Sequence, residues 1–153
     1  MSALFATVFG VMVAVASAHM CLLSPKQRGT ISGLNSAGSN DCVLLSSPCG
    51  GRAEGTYETT FTAGQKATVI FQKNLDHWDS KTPGRFDIKL WKGNTATTVG
   101  SVPDMGEQSL HLYNEEVTIP ATMHGAAILQ VTYVTNNPNA PAVFYQCADV
   151  MIH

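Results

Sequence analysis

Basic side chains are scarce, with nine Lys and Arg among 153 residues against eleven Asp and Glu. None of them forms a run, so the chain offers no electrostatic footprint for a nucleic acid. Charged residues make up 13% of the sequence and leave a formal net charge of −2. No Asn stands in an Asn-x-Ser/Thr triplet, so N-glycosylation is not expected. Nothing after residue 18 is apolar for long enough to span a membrane or to act as a C-terminal lipid-anchor signal. No segment carries a helical period with start and stop signals. A nucleophile elbow, a phosphate-binding glycine loop and a paired set of hydrolytic carboxylates are all missing, so no catalytic residue is assigned.

The one long apolar stretch lies at the start. Ala3 to Val15 are apolar or small and carry no charge. That is too short for a spanning helix and right for the core of a secretory signal. Ala16 and Ala18 suit the small-residue pockets of signal peptidase, which predicts cleavage after Ala18. Residues 1–18 then form a signal peptide, and residues 19–153 form one soluble domain of a secreted, extracellular protein, expected to be a monomer. The mature chain would begin at His19. An N-terminal histidine offers its α-amine and its Nδ1 to one metal ion as a chelate. Both groups lose their protons close to neutral pH, so proton competition there is small.

Four cysteines remain after cleavage: Cys21, Cys42, Cys49 and Cys147. In an exported chain an even count reads as disulfides, and four allow three pairings. Pairing Cys49 with Cys147 would clamp an early loop to the last strand and leave Cys21 and Cys42 as a local tie. No C-x2-C spacing supports the competing zinc site.

His19 to Ser24 reads as a short extended segment stopped by Pro25. Residues 27–55 are loop-like, rich in glycine, serine and asparagine, with no period of their own. Beyond them the pattern turns to period two. Strands are predicted over Tyr57–Phe61, Ala67–Gln72, Phe86–Leu90, Ser109–Tyr113, Glu116–Ile119, Ala126–Val134 and Ala142–Ile152. Such strands, separated by Gly, Pro and Asn turns, predict an all-β chain. The expected fold is an immunoglobulin- or fibronectin-like antiparallel β-sandwich with a long disulfide-tied N-terminal loop.

Five histidines are available: His19, His77, His111, His124 and His153. His77 stands in a loop between two strong strands, where it could meet the N-terminus if both lie at one end of the sandwich. Asp76 and Asp79 flank it and could orient the imidazole or add a ligand. His111 alternates with Leu110 and Leu112 and should point outward, His124 precedes a turn glycine, and His153 is the last residue. Trp78 and Trp91 could stack on sugars, or simply cover a loop and follow a core strand.

The run from His19 to Gly29, an N-terminal histidine followed by Pro25-Lys26-Gln27-Arg28, resembles the mature start of the histidine-brace copper proteins. Asp76-His77, followed by Gly84-Arg85-Phe86 and a strand, resembles the place where that superfamily carries its second brace histidine. Phe144 to Val150 resembles its last core strand, and the aromatic matching Phe144 lies on the copper axis in chitin-active lytic polysaccharide monooxygenases. Pro48-Cys49-Gly50-Gly51, Arg28-Gly29 and Tyr145-Gln146-Cys147-Ala148-Asp149 are closer to the fungal copper-acquisition branch. There the resemblance implies a carboxylate beside the two histidines, with Asp149 the candidate by motif position and Asp76 and Asp79 the alternatives. Strand alternation sets Phe144 and Asp149 on opposite faces unless a bulge intervenes.

The implied cofactor is copper, held by the His19 amine and the imidazoles of His19 and His77. Three functions compete. One is a copper-binding protein of acquisition type. Another is a copper-dependent monooxygenase oxidising a chitin-like polysaccharide. The third is a non-metal extracellular binding module with Trp78 at its ligand face.

Overall fold

A computed structural model describes residues 19–153, so the predicted signal peptide lies outside the described residues. Eight strands follow in order: β1 His19–Ser24, β2 Thr59–Phe61, β3 Lys66–Leu75, β4 Arg85–Lys92, β5 Thr95–Pro103, β6 His111–Thr118, β7 Gly125–Val134 and β8 Val143–Ile152. They form a three-stranded sheet, β1-β3-β6, facing a five-stranded sheet, β2-β8-β7-β4-β5. A single 3-10 turn at Asn40–Cys42 is the only helical element among the described residues.

The all-β sandwich matches the alternation in the sequence, with three departures. β2 runs parallel to β8, while the other pairings are antiparallel. The two strands expected at residues 109–119 are one continuous strand, β6. β5 gives no period-two signal because it is an edge strand with neither face fully covered, and none of its residues is buried.

Alternation fixes which side chains meet between the sheets. Phe86, Ile88 and Leu90 of β4 point inward, as do Phe144, Ala148, Val150 and Ile152 of β8, and all are buried. They pack on Leu22, Val69, Phe71 and Val117 from the smaller sheet. Each such side chain contributes about 1.5–3 kcal/mol by leaving water. β7 and β8 pair from Gly125–Ile152 to Val134–Val143 with no register shift, so the alternation along β8 is unbroken.

Residues 25–58 cover the outer faces of β1, β3 and β8. A segment with almost no secondary structure carries main-chain groups that need partners, and buried polar side chains on those strands supply them. Gln146 Nε2 donates to Met20 O at 3.0 Å and Asp41 O at 2.9 Å. Asn74 Oδ1 accepts from the N–H groups of Gly38 and Ser39 at 2.9 Å each. Gln72 donates to Leu34 O at 2.9 Å. The cysteines pair as Cys21–Cys42 and Cys49–Cys147, which ties this loop to β1 and to β8. Closing loops of 21 and 98 residues in this way is worth about 2–4 kcal/mol each.

Candidate metal centre

The two histidines singled out in the sequence lie at the same end of the sandwich. His19 opens β1 and pairs with Leu75, the last residue of β3. His77 follows two residues later in the loop that leaves β3. The imidazole of His77 lies nearly parallel to the Phe144 ring, with 12° between planes and 6.5 Å between centroids. Phe144 comes from β8, so this contact joins the two sheets at the His19 end. His19 is 2% exposed and His77 7%. His77 Nε2 is buried and meets no hydrogen-bond partner among the described residues. A buried ring nitrogen without a partner costs about 1–3 kcal/mol, so an orphan of this kind is a position for a ligand.

The loop is held at several points. Asn137 Nδ2 donates to His77 O at 3.0 Å. The Asp76 N–H donates to Ser109 Oγ at 2.9 Å, and the Trp78 N–H donates to Asp76 Oδ1 at 2.8 Å. Trp78 packs over Gly106, where an added Cβ would stand 3.0 Å from the indole. Gly106 has φ +88°, which also favours glycine. Trp78 therefore covers the loop while remaining 40% exposed.

Asp149 is engaged elsewhere. Phe144 faces the core and β8 has no bulge, so Asp149 lies on the opposite face of the strand, five residues further along. Its carboxylate is taken up there. Arg28 Nε reaches both carboxylate oxygens at 3.0 and 3.2 Å, Arg28 Nη2 reaches Oδ1 at 2.5 Å, and the Gly55 N–H donates to Oδ2 at 2.7 Å. Asp149 anchors the long loop. Replacing it with Asn leaves the nearly buried guanidinium of Arg28 uncompensated, and stability should fall by about 3–5 kcal/mol. Thermal melting of Asp149→Asn should record that loss, while copper affinity at low temperature stays unchanged. A large affinity loss in a folded Asp149→Asn protein would restore it as a ligand.

Asp76 stays beside His77, and its Oδ1 is 2.5 Å from Lys73 Nζ. Asp79 accepts the Lys81 N–H at 2.9 Å in an exposed turn. His111 is exposed on β6, its ring edge against Tyr113. His124 lends its main-chain oxygen to Lys92, and His153 is exposed at the C-terminus. Trp91 donates Nε1–H to Gln130 at 3.0 Å on the five-stranded sheet, at the far end of β4 from His77.

A buried charge cluster beneath this end was missed in the sequence. Lys73, fully buried, donates from Nζ to Asp104 Oδ1 and to Glu107 O, each at 2.7 Å. Asp104 is also fully buried and accepts the hydroxyl proton of Tyr133. Burial, then the bond to Asp104, pushes the Tyr133 hydroxyl far above the usual phenol range. Burial and then Glu107 do the same for Tyr113. A signal was available: Val69, Phe71 and Lys73 alternate, which points the lysine at the core.

Among the described residues no three His, Cys, Asp or Glu side chains converge on one point. A metal held between His19 and His77 therefore needs a further donor from outside that group, and the α-amine of a chain beginning at His19 is one. Two imidazoles and an amine form a nitrogen set that suits Cu(II).

The family described as copper acquisition factor BIM1-like matches residues 17–153. No curated protein matches the chain. Among solved structures, a polysaccharide monooxygenase of the CBM33 type, studied by X-ray photoreduction, is similar with a TM-score of 0.56 at 14% identity. That match covers 88% of this chain and 100% of the other. The catalytic domain of a lytic polysaccharide monooxygenase from Listeria monocytogenes gives a TM-score of 0.57 at 16% identity, covering 88% of this chain and 99% of that one. At such identities the likeness extends to the sandwich fold alone.

Proposed function

The chain belongs to the copper acquisition factor BIM1-like family, and from that premise we propose that it is a secreted copper-binding protein of acquisition type. The ion is its cargo. The ligands are the α-amine and imidazole of His19 and the imidazole of His77. The observation that carries this reading is the buried Nε2 of His77, which meets no hydrogen-bond partner among the described residues, at the end of the sandwich where β1 begins.

The residues around the pair divide the work. Phe144 gives His77 an apolar wall, which limits the ring's freedom and keeps water from one side. The Lys73, Asp104 and Asp76 charges lie behind the loop and are spent on one another. Copper bound to three nitrogens supplies one-electron redox chemistry and an affinity above that of other divalent ions of its row. The two disulfides suit the oxidising exterior, where leader removal would free the His19 amine.

A monooxygenase reading keeps support from Phe144, the position that resembles the monooxygenases' aromatic, because its ring lies against His77. The two are separated by loading the processed protein with one equivalent of Cu(II) and incubating it with chitin or cellulose, a reductant and peroxide. Stoichiometric binding without oxidised oligosaccharides is the expected result. Oxidised chain ends that depend on His77 would make the protein an enzyme, and failure to bind copper would leave the non-metal binding module.

A further inference from the structure

His77 stands in a loop, and a loop residue can hold a ligand geometry only if its main chain is fixed by its surroundings. We propose that Lys73, Asp104 and Tyr133 form a positioning frame that sets His77 from inside the core, with Asn137 closing the frame from the other side. The inference rests on His77 being the second copper ligand.

Tyr133 is the largest fully buried side chain among the described residues, and it projects from β7 between Phe86 and Phe144. Its hydroxyl donates to Asp104, the carboxylate that also holds Lys73. On the carbonyl side, Asn137 Nδ2 donates to His77 O at 3.0 Å. Residue 77 is thus anchored at its carbonyl by the turn that follows β7, and the residue before it is held by Lys73.

Asp104 is held from two further sides. The Asp104 carboxylate accepts from Lys73 Nζ and, at 3.1 Å, from the Gly106 N–H. Lys73 Nζ also lies 2.5 Å from Asp76 Oδ1, the residue immediately before His77. Lys73 sits opposite Met20 in the β1–β3 ladder, one residue from His19. One buried ammonium therefore refers the strand of the first ligand and the loop of the second to the same point. A buried lysine with paired carboxylates is expensive to desolvate, and an apolar cluster of equal volume would stabilise the fold at least as well. What the polar version adds is geometry at residue 77.

The test uses the chain beginning at His19 and three variants. Tyr133→Phe removes only the hydroxyl, Asn137→Ala removes the other anchor, and Trp91→Phe removes a side-chain hydrogen bond to Gln130 at the far end of β4. The readouts are His77 amide hydrogen exchange without metal, Cu(II) affinity, and the copper electron paramagnetic resonance spectrum. A frame predicts faster His77 exchange, an affinity loss of about 10–100-fold and altered copper parameters in Tyr133→Phe and Asn137→Ala, but not in Trp91→Phe. Equal affinity and spectrum in folded Tyr133→Phe would overturn the frame. So would the same loss in all three variants, which is the mark of general destabilisation. If the parent chain binds no copper, the brace falls with it, and metal-free exchange at His77 still decides whether the frame holds that residue.

Discussion

His77→Ala is expected to lose more than about 100-fold in Cu(II) affinity, because even residues that only support a ligand cost 10–100-fold. The folded state should hardly notice. The ring makes one aromatic contact, with Phe144, and its buried Nε2 has no hydrogen-bond partner among the described residues. Deleting a buried polar atom that is already unsatisfied removes a cost as well as a contact. Melting of the metal-free protein should therefore shift by no more than the equivalent of about 1 kcal/mol. Isothermal titration with Cu(II), paired with melting curves, checks both halves. His111→Ala is the control, since that side chain is exposed on β6. Equal copper affinity in His77→Ala and the parent would remove the second imidazole from the site.

The other large effect concerns the residue before His19. Retaining Ala18 converts the α-amine into an amide, whose nitrogen has no basic lone pair to give a metal. The chain that begins at Ala18 should fold as the His19 chain does, with the same disulfides, and yet bind Cu(II) more than about 100-fold more weakly, as expected for the loss of a direct ligand. A parallel pair of purified chains, differing by that one residue and titrated with copper, measures the difference. On this view cleavage does two things, since export and formation of the metal site become the same chemical event. A copper affinity indifferent to the added alanine would exclude the amine.

Much of the fold could be read from the chain because its strands are half-buried and alternate. Phe86, Ile88 and Leu90 announce β4, and Ala126–Val134 and Ala142–Ile152 foreshadow β7 and β8 nearly to their ends. β5 gave no such signal, since Thr95–Pro103 forms an edge with no buried residue. Alternation also carried information about the site. It set Phe144 and Asp149 on opposite faces of one strand, and β8 pairs with β7 from Val143 to Ile152 without a register shift.

Other parts depended on contacts too distant in sequence to read. Three disulfide pairings stayed open because nothing local distinguishes them. His19 and His77 are 58 positions apart, and only the β1–β3 ladder brings them to one end. The frame behind His77 draws Lys73, Asp104 and Tyr133 from a strand, a loop and the opposite sheet, and no local pattern links them. The polar side chains that hold residues 25–58 were hidden for a similar reason. Gln72 and Asn74 look like a solvated face until the loop that covers them is in place.

The central claim is a three-nitrogen site made of one amine and two imidazoles. It is tested most directly by the electron paramagnetic resonance spectrum of the chain beginning at His19 with one equivalent of Cu(II), recorded beside the chain beginning at Ala18. The brace predicts an axial spectrum with hyperfine structure from three nitrogens in the first chain and a different, nitrogen-poorer spectrum in the second. Identical spectra from the two chains, or a signal dominated by oxygen ligands in the first, would contradict it.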